Sequence, residues 1–143
     1  MIFGRQTPHD RFVRDLEKEI LGSGATIEHP AEGQPKVHFG RDFMIAIGSQ
    51  WRLLNNERIL VTDSDDSQWF GLSAPVDAAA KANAALDGNS LRSIEFSPVT
   101  GDLRFHFSGA LVLEILTISS GYESWEMYLR NEHFAVGGSG GLI

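Results

Sequence analysis

The sequence predicts an α+β fold in which two helix-plus-antiparallel-β-meander repeats pack as one domain with pseudo-two-fold symmetry. Three observations carry this. Two stretches, near residues 8–21 and 73–87, hold helix signals. Each is followed by short apolar runs separated by Gly, Asn and Asp turns. The two halves also align: residues 37–47 (VHFGRDFMIAI) match residues 105–115 (FHFSGALVLEI) without a gap. One such repeat cannot bury its apolar face alone, so two copies are expected to share a core. The expected domain spans 1–143, with repeat one at about 7–62 and repeat two at about 73–138.

In the first helix, Thr7 can cap, Pro8 suits the first turn and Asp10 complements the helix dipole. Phe12, Val13, Leu16, Ile20 and Leu21 recur at helical spacing, and Gly22 and Gly24 end the run. Strands are expected at 25–29, 37–39, 43–47, 51–54 and 58–61, the last two across the turn Asn55-Asn56-Glu57. In the second helix, Ser73 is the expected cap, with Pro75 and Asp77 in the first turn. Its Ala-rich body has high helix propensity, and small side chains would let it lie flat on a sheet. Further strands are expected at 91–96, 103–107, 111–118, 125–129 and 133–136. Within the alignment His38 pairs with His106, Trp51 with Trp125, Asn56-Glu57 with Asn131-Glu132, and Val61 with Val136.

Composition excludes several function classes. The chain has 143 residues and no Cys, so disulfides, zinc-thiolate sites, Fe–S clusters and cysteine nucleophiles are ruled out. Net charge is −7, which opposes a phosphate-binding surface, because nucleic-acid binding needs clustered Lys and Arg. The longest apolar stretch, 110–118, is interrupted by Glu114 and is too short to cross a bilayer. The N-terminal residues lack a charged leader followed by an apolar run, so a cytoplasmic location is expected. No cofactor and no metal are expected.

Candidate chemistry is sparse. His38 and His106 could meet about a two-fold axis and bind a metal, but period-two alternation turns both outward from the core. Asp63-Ser64-Asp65-Asp66 begins like a calcium loop, yet Gln68 stands where such a loop needs Gly and Ala74 where it needs Glu. Glu114, Glu123 and Glu126 read as exposed strand carboxylates rather than an acid–base pair. Trp51 and Trp125 read as core anchors. Residues 137–141 (GGSGG) read as a flexible end or an irregular strand that needs Gly geometry. Trp69, beside the acidic loop and outside the repeats, is expected to be partly exposed. An aromatic ring beside carboxylates suits a binding hot spot, so Asp63, Asp65, Asp66 and Trp69 are the candidate partner-binding residues.

The segment 89–138 carries Leu91, Ile94, Gly101-Asp102-Leu103, a Phe-rich strand and Ser120-Gly121-Tyr122-Glu123-Ser124-Trp125-Glu126 before a Gly-rich end. This resembles a group of small, mostly uncharacterised bacterial proteins marked by a "G-D-L … Y-E-x-W" signature. Some members of such groups resemble immunity proteins of contact-dependent and polymorphic toxin systems. The resemblance covers about a third of the chain and brings no catalytic residues with it. It implies a cytosolic protein that neutralises a cognate toxin by binding it, and the net charge of −7 suits a basic toxin, so a non-catalytic immunity protein or antitoxin is the expected function. The alternative readings are a small-ligand-binding or enzymatic domain with a pocket between the repeats, and an assembly domain that dimerises through a sheet edge.

Overall fold

The computed structural model describes residues 7–138 and 141–142. The first helix, α1, runs Pro8–Ile20. Thr7 caps it, and Thr7 and Asp10 each accept from the other's backbone N–H in a capping box. Its apolar spacing puts Phe12, Leu16 and Ile20 on one buried face. Five strands follow: β1 (Ala25–Glu28), β2 (Lys36–Phe39), β3 (Phe43–Ile47), β4 (Gln50–Asn55) and β5 (Arg58–Thr62). The second helix, α2, runs Ala78–Leu86, and five more strands come after it. These are β6 (Leu91–Phe96), β7 (Leu103–Phe107), β8 (Leu111–Leu116), β9 (Glu123–Leu129) and β10 (Glu132–Gly138), with a two-residue β11 (Gly141–Leu142) at the end. The protein is therefore α+β, with two α-helices and two antiparallel sheets among the described residues.

The strand order is β1-β2-β3-β9-β10-β11 in one sheet and β5-β4-β8-β7-β6 in the other. Each sheet thus takes three consecutive strands from one half of the chain and a hairpin from the other half. The chain changes sheets at Gly48-Ser49, between β3 and β4, and again in the loop between β8 and β9. The exchange hydrogen-bonds the inner edges: β3 pairs with β9 and β8 with β4, so no meander is left with a bare central edge. Both exchanged hairpins close on two-residue turns with positive φ, Asn56-Glu57 and Arg130-Asn131. These angles match the right-handed twist of the flanking strands. The two turns sit alike in their hairpins: Asn55 faces Arg58 across the first and Leu129 faces Glu132 across the second, while Val61 faces Leu53 and Ala135 faces Met127.

The sheets pack face to face. Val37, Phe39, Ile45, Ile47, Trp125 and Met127 from one meet Trp51, Leu53, Leu103, Phe105, Leu113 and Ile115 from the other in one buried core. Phe39 and Phe105 touch across the gap, with ring centroids 4.9 Å apart. Trp51 and Trp125 are both fully buried, as anchors should be. Each finds a partner for its indole N–H: His29 Nε2 at 3.0 Å for Trp51, and the Gly101 carbonyl at 2.9 Å for Trp125.

The helices close the sides of the sandwich. α1 packs on β6, and its Phe12 stacks on Trp125. α2 does not lie flat on a sheet; it contacts β1 of one sheet and β5 of the other. Ala78, Ala82 and Leu86 are its buried residues. Its cap is Asp77, which accepts from Ala80 N–H, rather than Ser73; residues 73–77 precede the helix. Asn83 and Lys81 interrupt that Ala-rich run, and Asn83 turns its amide to β1. Its amide oxygen accepts from Ile27 N–H (2.7 Å) and its NH₂ donates to Ile27 C=O (2.8 Å). One side chain thereby satisfies both backbone groups of Ile27 on edge strand β1 as a neighbouring strand would.

The C-terminal glycines have distinct positions. Gly137 lies in β10 with the Trp125 ring against it; a Cβ there would fall 2.0 Å from Trp125 Cζ2. Gly138 ends the strand, and residues 139–140 of the Gly-rich run lie outside the described residues.

Two substitutions test this arrangement. Asn83→Ala strands a donor and an acceptor of Ile27 and is expected to cost about 1–3 kcal/mol in urea unfolding, despite the better helix propensity of Ala. Gly137→Ala overpacks the Trp125 site and is expected to cost at least about 2 kcal/mol by the same measurement.

Candidate functional site

The candidate site is segment 63–77, which joins β5 to α2. It opens with a single 3-10 turn, Asp63–Asp65. The aspartates do not simply point at solvent. Asp65 Oδ2 accepts from Thr62 N–H at 3.0 Å. Asp66 Oδ1 accepts from Ala78 N–H at 2.9 Å, at the start of α2. Asp63 Oδ2 lies 3.4 Å from Trp51 N–H and is half-buried. Each of these carboxylates is committed to a backbone donor, and together they fix where the segment leaves the sheet.

Asp66 also faces His29. Its Oδ2 is 3.5 Å from His29 Nδ1, and His29 Nε2 accepts the Trp51 indole N–H. With Nε2 occupied as an acceptor, the imidazole proton sits on Nδ1, facing the carboxylate. A continuous chain therefore runs from the core (Trp51) through the β1–β2 loop (His29) to the acidic segment (Asp66) and α2 (Ala78). The two carboxylates respond oppositely to their settings. The Ala78 N–H, aided by His29, holds Asp66 below the ordinary carboxylate range. Burial pushes Asp63 up, opposed by the backbone N–H donors of Trp51 and Ser64.

Beyond the aspartates the segment projects outward. Backbone bonds from Ser67 N–H to Val76 C=O and from Val76 N–H to Gln68 C=O, both 2.8 Å, pin its base. At its tip, Leu72 N–H donates to Trp69 C=O at 2.7 Å. The two residues between, Phe70 and Gly71, have φ of 45° and 73°. This is a tight turn with positive φ at both central positions. Glycine takes that conformation freely, whereas for Phe70 the left-handed backbone costs about 1–2 kcal/mol. Three large apolar side chains stand in solvent around it: Trp69 is 57% exposed, Phe70 66% and Leu72 56%. Sequence reasoning found Trp69 and missed Phe70 and Leu72. The signal was a bulky residue before Gly in a segment bracketed by polar residues, which marks a turn with its apolar groups outside.

The other candidates lie elsewhere. His38 projects from the outer face of one sheet, between buried Val37 and Phe39, and His106 from the outer face of the other, between Phe105 and Phe107. The two do not meet. Each is 2.8 Å from a carboxylate on its own sheet, Glu28 for His38 and Glu95 for His106, and both carboxylates titrate low because of that hydrogen bond. Glu114 corrects the expectation of an exposed strand carboxylate. It is only 7% exposed and lies between Arg52 Nε (2.7 Å) and Arg104 Nε (3.2 Å). Arg104 also reaches Glu95, so Glu95, Arg104, Glu114 and Arg52 alternate in sign across four paired strands. Glu126 hydrogen-bonds the Tyr128 hydroxyl, and Glu123 is exposed. A shallow depression of about 550 Å³ beside Arg104 and His106 opens on this outer face, not between the sheets.

Among the described residues no three His, Asp or Glu side chains are grouped so as to hold a metal ion. Among them, too, no helix is long and apolar enough to cross a membrane. Comparison with protein-family models, with curated proteins and with solved structures finds no match.

The Asp66 geometry sets a pH dependence. Asp66, Glu28 and Glu95 titrate lower in the folded chain than unfolded, so the folded state binds fewer protons in acid. Their stabilisation is present above the ordinary carboxylate pKa and is lost as pH falls through the lowered values. Asp63 acts with the opposite sign. Asp66→Asn keeps an acceptor for Ala78 N–H but removes the charge. It is expected to lower stability by about 1 kcal/mol at neutral pH and to flatten the acid limb of the stability curve, read by thermal unfolding between pH 3 and 7.

Proposed function

We propose that this chain is a non-catalytic binding protein that acts in the cytoplasm, most concretely an immunity protein or antitoxin that covers the active site of a cognate toxin. The observation that carries the reading is Trp69: an indole 57% exposed on segment 63–77, which contains four Asp and no Lys or Arg. Exposed, rigidly held tryptophans are the residues that dominate protein interfaces. The acidic surroundings and the net charge of −7 suit a basic partner. Toxins that act on nucleic acids are basic because they bind phosphate backbones. The resemblance of segment 89–138 to the "G-D-L … Y-E-x-W" proteins points the same way.

In the same reading the two halves are repeats related by a pseudo-two-fold axis, each lending its hairpin to the other's meander. Strand registers support it. Ile27 faces Val37 and Val37 faces Ile45 in one sheet; Ile94 faces Phe105 and Phe105 faces Leu113 in the other. Ile47 pairs with Trp125, and Ile115 with Trp51. Register shifts also fall at corresponding places, around Leu60 and around Phe134. Segment 63–77 follows repeat one and precedes repeat two, so its role is added to the scaffold rather than repeated by it.

The test is neutralisation. The tagged chain is used to capture proteins from its host at low and moderate salt, and each stoichiometric basic protein retained is expressed alone and with this chain. The expected result is one partner that arrests growth alone and is tolerated in co-expression, with binding that weakens as salt rises. Growth arrest that persists in co-expression rules the immunity reading out.

A further inference from the structure

We infer that the Trp69–Leu72 turn is a preformed apolar plug that inserts into an apolar cleft with a basic rim on a protein partner. The inference rests on the binding-protein reading and specifies the surface and the chemistry of what it meets. Three features combine. The turn is closed by its own hydrogen bond and its base is pinned twice to Val76, so the backbone that carries the apolar groups is set before any partner arrives. Preorganisation of this kind removes ordering entropy from binding.

The second feature is the strained position of Phe70. A left-handed conformation with φ of 45° would suit Asn or Gly better than a large ring. Phe70 is also 66% exposed, so burial in this chain does not offset the strain. Backbone strain of this type is typical of ligand clamps and binding loops.

Charge chooses the occupant. Asp63, Asp65, Asp66 and Asp77 flank the turn, with no cation between residues 58 and 81. A loop that inserts into an anionic bilayer relies on Lys and Arg beside its aromatic residues, so these aspartates would repel such a surface. A second copy would bring the same four aspartates against them. A cleft ringed by Lys or Arg on another protein matches both the apolar tip and its acidic base.

The test places a photoreactive benzophenone at residue 70 of the full chain in its host cell. A second sample carries it at residue 38, on the outer face of the other sheet. The expected result is an adduct from residue 70 to one protein, mapped by mass spectrometry to an apolar cleft with Lys or Arg at its rim. Affinity of that purified partner should fall about tenfold or more in Trp69→Ala and in Leu72→Ala. In Phe70→Asn the partner should bind about tenfold more weakly while the folding equilibrium constant rises about fivefold, as relief of a left-handed Phe requires. Opposite movements of binding and stability exclude a merely misfolded variant. Adducts with lipid, with a second copy, or with a protein surface that lacks the basic rim overturn the inference. A protein captured only from residue 38 overturns the plug and leaves the binding reading standing. Capture from neither position overturns both.

Discussion

The link on which the candidate site depends is the hydrogen-bond chain from the Trp51 indole through His29 to Asp66 and the Ala78 N–H. Trp51 is fully buried between the sheets, so its N–H must be satisfied there. His29 supplies the acceptor, and that choice of nitrogen leaves the imidazole proton facing Asp66. Asp66 in turn meets the first turn of α2, where helix N–H groups lack partners within the helix. Every member satisfies a need of its neighbour. The result is that an otherwise solvated loop leaves β5 in a direction set by the core.

The same economy appears in the sheets. A three-stranded meander exposes one apolar face and two open edges, and a helix can cover only part of that. Exchange of the hairpins pairs the inner edges, through β3 with β9 and β4 with β8. The edge at β1 is met by the Asn83 amide, which occupies both Ile27 backbone groups. An assembly role through that strand edge would require this contact to open first.

Much of the scaffold was legible in the sequence because period-two alternation and turn residues are local signals. β3 at Phe43–Ile47, β6 at Leu91–Phe96 and β7 at Leu103–Phe107 fall where the pattern puts them. What was not legible depends on contacts between distant residues. An Asp cluster looks the same whether its carboxylates face water or cap backbone N–H groups, and only Trp51 and Ala78 decide that for Asp63 and Asp66. Glu114 reads as a solvent-facing strand residue until Arg52 and Arg104 flank it from neighbouring strands. Asn83 is inconspicuous in an Ala-rich helix until β1 is placed beside it. The second hairpin turn is a similar case: Asn131-Glu132 reads in sequence like Asn56-Glu57, but the turn residues are Arg130-Asn131.

The contrast between the interior and the Trp69 turn is informative in itself. Several polar elements of the fold have a local compensation: Glu114 with two guanidinium groups and Asn83 with a strand edge; left-handed backbone also occurs at Glu57, Ser67, Ala110 and Arg130, but there the side chain is polar or small. At Phe70 the compensation is absent. The backbone is left-handed at a bulky residue, the ring is exposed, and two further large apolar groups stand beside it. A sequence shaped only by folding would place Asn or Gly there and polar residues around it. The cost is small against the stability of a whole domain, and it falls on a segment tied to the core through Trp51, His29 and Asp66. Left-handed backbone under a large exposed apolar ring is a local departure from folding rules, and such departures are where a binding function is expected to lie.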